Sequence, residues 1–368
     1  MIPLIKKRNS FFVLMFMATS IMSFAQNVIK KDYLQLKGTI STYLIKMKLE
    51  VSDDSYKGIY FYEKTQEPIS ISGVSINNGN SINLIADVNQ KEEKFTLTKN
   101  GNDYTGTWTG SGNRPSLPVK LSLDQVGMRF DIYTLEDSLK LVPNSENSAM
   151  ASFNTTTVWP SEMNALSNFV RSQILKSISE KGLSNDIENV LIDNRNEYFE
   201  GYKDNFKDEL QSAIQEPSFG FNSEMMQNIS LKSETDEILV LESGNYNYDG
   251  GAHGMYSSIY INIDKKKMKL INVKDVILNP NSKLLLRILE KRFRLQNGAP
   301  LNKKLSEIGL FEDQISNLAD VFYVTSKGIN FYYSVYEIAP YGNGPVEIFV
   351  PFKDLKGMLT SGFQKYAQ

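Results

Sequence analysis

Apolar and polar side chains alternate with a period of two residues along the first third of the chain. Ile45, Met47 and Leu49 alternate with polar residues, which is the pattern of a half-buried β-strand. The same alternation recurs in five further segments, over residues 56–62, 69–71, 82–84, 95–97 and 119–123. Asn-Gly pairs at 78–79 and 100–101 favour tight hairpin turns between them. Residues 27–135 are therefore predicted to form an antiparallel β-barrel or β-sandwich.

The pattern weakens after this module. Residues 136–158 are polar and rich in Ser, Asn and Thr. This composition is typical of a connecting segment, so the sequence predicts a linker here.

A helical period begins after residue 159. Pro160 and Ser161 mark a helix start, and apolar residues then recur at helical spacing until Gly182 and again from Ile187 to Leu210. From Ile238 strand-like alternation returns. It is interrupted by a predicted helix over 282–298 and a short one over 311–318. Strands and helices mixed without strict alternation predict an α+β domain over residues 159–368.

The N-terminus has the pattern of a secretory signal peptide over residues 1–25. Lys6, Lys7 and Arg8 form a basic region, an apolar run follows, and Ala25 ends a small-residue cleavage site. The apolar run is shorter than the roughly 20 residues that span a bilayer. We therefore expect an exported protein, periplasmic or extracellular, without a membrane span after signal cleavage.

Composition narrows the possible chemistry. The chain has one histidine, no cysteine, 40 basic and 42 acidic residues. Thiolate nucleophiles and zinc sites with several histidines or cysteines are excluded. The near-neutral charge gives no reason to expect a nucleic-acid partner, and no motif calls for a metal or another cofactor.

The stretch YNYDGGAHG, residues 246–254, contains the one histidine, His253. One interpretation is a hairpin in which Gly250 and Gly251 adopt positive φ, Asp249 supports the turn and His253 bridges it to a neighbouring strand. The other makes His253 the base of a Ser-His-Asp triad, with Asp249 and a serine at 257 or 258. The sequence favours the structural interpretation.

A second loop, residues 339–345, combines two prolines and two glycines around an aromatic side chain. Pro340 and Gly344 would fix the backbone, while Tyr341 and Asn343 would offer contacts to a ligand, with His253 as a third binding residue. The alternative is a packed strand connection in which Tyr341 is buried and its hydroxyl is hydrogen-bonded. The residues leave both open and favour the packed connection.

These two blocks carry a resemblance. YNYDGGAHG, followed by YEIAPY at 336–341, Gly344 and Val350-Pro351, resembles an extracytoplasmic domain of undefined activity. That domain occurs in the RsiV anti-sigma factor and beside the catalytic domain of the PdaC peptidoglycan deacetylase. The resemblance covers about residues 150–362 and implies an envelope-facing, non-catalytic module that binds a protein partner.

Three functional hypotheses follow. The first is an exported, non-enzymatic envelope protein that binds a lysozyme-like protein or peptidoglycan. The second is an envelope hydrolase that acts on glycan or peptide bonds through His253 or an unidentified carboxylate pair. The third is a structural module whose partner binds the N-terminal β domain.

Overall fold

The computed structural model describes residues 27–65, 68–76, 79–87, 92–112, 115–145, 148–179, 186–208 and 219–367. The predicted signal peptide, residues 1–25, lies outside the described residues. The same holds for Gly182 and Leu210, the predicted ends of two helices.

Eight antiparallel strands close into a barrel in the N-terminal part of the chain. Each strand pairs with the next, and the first also pairs with the eighth. They are β1 (Ile29–Ile40), β2 (Tyr43–Ser52), β3 (Ser55–Tyr62), β4 (Ile69–Ile76), β5 (Ser81–Asp87), β6 (Glu92–Asn100), β7 (Asp103–Thr109) and β8 (Leu117–Leu123). The predicted antiparallel β module is confirmed, and it is a barrel.

Alternating side chains fill the barrel interior. Met47, Leu49 and Phe95 are completely buried there, because the two-residue period turns every second side chain inward. Trp108 is also buried, and its indole Nε1 donates a hydrogen bond to the Glu93 carboxylate at 3.2 Å. The interior is therefore a packed hydrophobic core.

A second sheet continues from the first strand of the barrel. Residues 29–32 of β1 pair with β9, while residues 36–40 of the same strand pair with β8. The sheet then runs in sequence order through β9 (Phe130–Lys140), β10 (Met150–Pro160), β11 (Ser223–Glu234), β12 (Ile238–Tyr248), β13 (Met255–Asp264) and β14 (Lys269–Leu270). One strand thus belongs to both the barrel and the large sheet.

Residues 136–158, predicted as a linker, lie mostly in β9 and β10, which pair with each other over eleven positions from Met150 to Pro160. This corrects the prediction. Thr155 and Thr157 are completely buried between the neighbouring strands. Threonine is β-branched and suits a strand, so a composition typical of a linker here forms sheet. The domain boundaries themselves stay a prediction.

In its described residues, the connection from β10 to β11 is helical. These strands are parallel, and parallel neighbours need a long crossover, which α1 (Ala165–Ile178) and α2 (Ile187–Asn205) provide. The first helix begins later than predicted, because the side chain of Asn164 accepts a hydrogen bond from the Ser167 N–H at 2.8 Å and caps it. Both helices bury apolar side chains in the core shared with the large sheet.

The C-terminal part builds a second core from α3 (Val273–Val276), α4 (Lys283–Gln296) and a sheet of β15 (Val321–Val324), β16 (Gly328–Tyr333) and β17 (Val346–Pro351). The side chain of Asn262 ties it to the large sheet. Its Nδ2 donates to the Phe322 carbonyl at 2.9 Å, and its Oδ1 accepts from the Val324 N–H at 2.9 Å. The observed mixture of strands and helices agrees with the predicted α+β class.

The short helix predicted over 311–318 is not formed. The segment follows an irregular path, and the Ile315 N–H that a helix over 311–318 would use is bonded to another element. The Ile315 N–H donates to a Glu290 carboxylate oxygen on α4 at 3.1 Å, and the Phe311 N–H donates to the Ile338 carbonyl at 2.9 Å.

Buried charges fix the barrel against the large sheet. Glu234 on β11 forms ion pairs with Lys48 on β2 and with Lys265 in the turn after β13, the latter at 2.9 Å. Burial opposes ionisation of Glu234, but the two ammonium groups hold its pKa below the usual range. Ile59 and Phe61 project from the barrel into the core of the sheet beside it.

Glu50 on β2 lies at the same junction, half-buried. Burial raises the pKa of its carboxyl to about 7, against the opposing effect of the neighbouring Lys57 ammonium. The ionised form of Glu50 is therefore less favourable in the folded chain than in the unfolded one.

We expect Glu50→Gln to weaken the pH dependence of stability. The raised folded pKa means that Glu50 favours the folded state at acid pH and that this contribution is lost as pH rises to about 7. Urea unfolding measures the free energy of unfolding at about pH 5 and pH 8. The decrease between these two pH values should be roughly 2 kcal/mol smaller in the variant than in the wild type. Glu136→Gln, at an exposed position of β9, is the control. Equal pH slopes for wild type and Glu50→Gln would contradict the assignment.

Candidate functional site

The tip of the β12–β13 hairpin requires both of its paired glycines. Gly250 and Gly251 have φ values of +85° and +94°, which L side chains resist. At Gly250 the backbone also packs against another segment, because a Cβ there would lie 2.5 Å from the Gly220 carbonyl oxygen. The hairpin tip thus rests on the short helical turn Phe219–Phe221.

Asp249 connects the hairpin to helix α2. Its carboxylate accepts a hydrogen bond from Ser223 Oγ at 2.8 Å, and Ser223 Oγ accepts one from the Tyr198 hydroxyl at 2.8 Å. Burial raises the pKa of Tyr198 to about 12, so it donates as a neutral phenol. This chain of hydrogen bonds gives Asp249 a structural role at the base of the tip.

His253 bridges the hairpin to the segment that follows β16. Its Nδ1 lies 3.1 Å from the Gly254 carbonyl oxygen, and its Nε2 lies 3.3 Å from the Tyr336 hydroxyl. A carbonyl can only accept, so in the neutral ring Nδ1 donates and Nε2 accepts from Tyr336. The imidazole is exposed on its outer side.

Tyr341 supports the imidazole from one face. The two rings stack with centroids 3.9 Å apart and planes 18° from parallel. The Tyr341 hydroxyl donates to the Gly254 carbonyl oxygen at 2.8 Å. Tyr341 is half-buried, so it is both a packed residue with a bonded hydroxyl and a wall of an exposed cluster.

Tyr336 completes this cluster in a strained conformation. Its φ is +66°, in the left-handed region that costs a non-glycine residue on the order of 1 kcal/mol or more. Half of its surface is exposed, and its ring centroid lies 5.5 Å from that of Tyr341. We call His253, Tyr336 and Tyr341 the aromatic platform.

The loop at 339–345 positions Tyr341. Pro340 caps a short helical turn, Tyr341–Asn343, and Gly344 closes it with a φ of +69°. Asn343 faces the scaffold, because its Nδ2 donates to the Gly309 carbonyl at 2.8 Å. Of the predicted binding residues, the fold therefore brings His253 and Tyr341 together and places Asn343 in a supporting contact.

Sequence reasoning missed Tyr336, Gly254 and Tyr246 as parts of this site. A Cβ at Gly254 would lie 2.4 Å from the Tyr246 ring, so only glycine allows the ring to cover this position. Tyr246 packs in turn against Tyr256, with ring centroids 4.5 Å apart and planes tilted by 38°. The third glycine of YNYDGGAHG was the available signal for Gly254. The positive φ of Tyr336 leaves no signal in the sequence.

The described hydrogen bonds do not join Asp249 to His253. Asp249 contacts Ser223, and the described partners of His253 are Gly254, Tyr336 and Tyr341. The described residues contain no group of three or more acidic or histidine side chains placed to hold a metal ion. No described helix has the length and apolarity to cross a bilayer.

Residues 274–353, which include Tyr336, Tyr341 and Asn343, match the family described as protein of unknown function (DUF3298). The chain contains a DUF3298 domain. The matched segment runs from α3 through β17 and leaves the barrel and the hairpin outside it. No curated protein matches the chain.

Solved structures show the same fold in part. A DUF3298 family protein from Bacteroides fragilis matches with a TM-score of 0.59 at 20% identity, over 64% of this chain and 95% of that one. A DUF3298 family protein from Pseudomonas aeruginosa matches with a TM-score of 0.44 at 18% identity, over 64% and 96%. At these identities the first match shows a shared fold, and we draw nothing from the second.

The paired glycines provide a matched test of the hairpin tip. We expect Gly251→Ala to cost about 1 kcal/mol through its positive φ alone, because a Cβ added at Gly251 would meet no atom within 4 Å. Gly250→Ala should cost roughly 2 kcal/mol or more, since it adds the clash with Gly220. Urea unfolding of both variants measures the difference, and equal losses would exclude the close approach as a constraint.

Proposed function

We propose that the chain is an exported, non-enzymatic binding module of the cell envelope, and that the aromatic platform is its recognition surface. The partner is a lysozyme-like protein, with peptidoglycan as the other ligand class to be tested. The observation that carries this proposal is Tyr336, an exposed aromatic side chain held at a φ of +66° against His253 and Tyr341.

Strain at an exposed position is the first support. A buried residue can offset an unfavourable φ through packing, but half of the Tyr336 surface faces solvent. Strained backbone positions cluster at ligand-contacting sites because the strain fixes a side chain in advance. A preorganised tyrosine loses little conformational entropy on binding, and tyrosine is enriched among the residues that dominate interface energies.

The neighbouring strand favours a protein partner over a glycan. Among the described strands, β14 pairs with β13 at Ile263 and Asp264, and the Asn262 carbonyl accepts from the Ile271 N–H, so the outer edge of β13 has no paired strand from Met255 to Ile261. Met255, Tyr256 and Ile259 are exposed along it. An open edge with apolar side chains can accept an extended segment of another protein through main-chain hydrogen bonds.

The family resemblance supports the envelope setting. The sequence blocks that resemble the RsiV and PdaC domain include every residue of the platform, and the DUF3298 match covers Tyr336 and Tyr341. The signal-peptide pattern of residues 1–25 points the same way, toward a periplasmic or extracellular location.

Tyr336→Gly separates recognition from folding. Glycine accepts the positive φ, so we expect the free energy of unfolding to stay level or rise by about 1 kcal/mol. Loss of the ring should weaken binding to immobilised lysozyme at least about tenfold, the scale of an interface hot spot. Surface plasmon resonance with residues 26–368, at two salt concentrations, measures both affinity and its dependence on charge screening.

Tyr43→Ala is the matched control, since Tyr43 is an exposed aromatic residue on β2 of the barrel and no part of the platform. It should leave lysozyme binding unchanged. If Tyr43→Ala and Tyr336→Gly reduced the affinity for lysozyme equally, the platform would not be the recognition surface. Binding to solubilised peptidoglycan with no binding to lysozyme would replace the protein partner by a glycan.

The same preparation tests the hydrolase hypothesis. An enzyme that used His253 as a base would release products from peptidoglycan, and the rate would fall in His253→Ala. Turnover in the wild type that is lost in this variant would replace the binding proposal.

A further inference from the structure

A second site lies where the barrel meets the large sheet. A cleft of about 500 Å³ opens there, between β2 to β5 on one side and β11 and β12 on the other. Its volume falls in the range of small-ligand sites, and junctions between modules are a common place for them. It involves none of the residues of the aromatic platform.

The large sheet contributes a row of polar groups to the cleft. Asn228 and Ser230 lie two positions apart on β11 and share one face of the strand, and Lys232, at the irregularity between Leu231 and Ser233, also lines the cleft. On β12, Gly244 pairs with Asn228 and Glu242 pairs with Ser230. The floor therefore alternates amide, hydroxyl, ammonium and carboxylate groups.

Glu242 is held in place by several donors. Ser258 Oγ and the Tyr260 hydroxyl donate to its Oε1 at 2.9 and 3.3 Å, and Lys232 Nζ lies 3.2 Å from its Oε2. Lys232 is positioned in turn over the Tyr323 ring, 5.0 Å from its centroid. These contacts fix an acceptor and a donor at the edge of the cleft, as preorganised recognition requires.

The barrel wall on the other side of the cleft carries polar groups with fewer hydrogen-bond partners. Glu50 is half-buried in the cleft wall and has no hydrogen-bond or ion-pair partner among the described residues. Lys57 lies opposite it on the neighbouring strand β3. Ile85, an exposed apolar residue of β5, lines the same wall. A half-buried carboxyl without a partner leaves hydrogen-bonding capacity that a ligand can use.

Gly244 keeps the cleft open. Its backbone conformation is not in the left-handed region, and a Cβ at this position would meet only Ser258 Oγ, at 3.8 Å. Neither strain nor crowding within the protein requires glycine here, in contrast to Gly250. The missing side chain leaves space directly above the polar floor.

We propose that this cleft binds a short saccharide. Sugar hydroxyls both donate and accept, which matches carboxylate, amide, hydroxyl and ammonium groups placed side by side. The C–H face of a sugar ring can cover the exposed side chain of Ile85. Charges of both signs occur on both walls, which disfavours a strongly anionic or cationic ligand. The inference stands apart from the proposed function, because the two surfaces share no residue.

Gly244→Val tests the site by filling it. Valine suits a strand, and its Cβ would meet no backbone atom within 4 Å, so the variant should fold with an unchanged melting temperature. Isothermal titration with tetramers of N-acetylglucosamine, glucose, mannose and galactose is the assay. The wild-type chain should bind at least one tetramer saturably, and Gly244→Val should bind it at least tenfold more weakly. Glu50→Gln, which removes one acceptor, should weaken it several-fold.

Two controls locate the effect. Ser138→Val adds a similar side chain at an exposed position of β9, and Tyr43→Ala removes an exposed ring of the barrel that does not line the cleft. Both should bind the tetramer as the wild type does. No saturable binding of any tetramer to the full chain would overturn the inference. Equal affinity of Gly244→Val and wild type for the tetramer would also overturn it. The inference would fail as well if Gly244→Val weakened binding of a peptidoglycan stem peptide but of no tetramer.

Discussion

The fold depends on β1 being shared by two sheets. Its first residues donate and accept main-chain hydrogen bonds with β9, and its last residues do so with β8 of the barrel. Since buried main-chain groups must be paired, the register of this one strand sets where the barrel stands on the large sheet. The buried contacts of Glu234 with Lys48 and Lys265 then fix the angle between them.

Both candidate sites follow from that placement. The cleft exists because the outer wall of the barrel stands opposite β11 and β12, so its volume is set by long-range packing. The platform depends on the other end of the large sheet, where the β12–β13 hairpin meets the loops of the second core. Asn262 connects these regions by bonding two main-chain groups of β15.

Local patterns in the sequence predicted the features that depend on neighbouring residues in the chain. The two-residue period indicated the barrel strands, and the Gly-Gly pair marked positions with positive φ. The prediction of a linker over residues 136–158 was wrong because threonine is polar, yet the threonines of this segment are buried between strands. Whether such a segment is buried depends on chain segments distant in sequence. The role of Tyr336 could not be predicted, because the φ of a single residue leaves no periodic pattern in the sequence. The cleft could not be predicted either, because no local pattern indicates that β2 packs near β11. Glu50 likewise looks like any other strand carboxylate until the sheet covers it.

The shared strand also determines how the two halves can exist apart. A closed barrel has no free edge, but a C-terminal fragment that lacked β1 would leave part of β9 without its neighbour. An unpaired edge of that kind pairs readily with a second molecule and promotes aggregation. Glu234 would meanwhile keep Lys265 but lose Lys48. Proteolysis between the halves would therefore yield a self-associating product rather than two independent proteins.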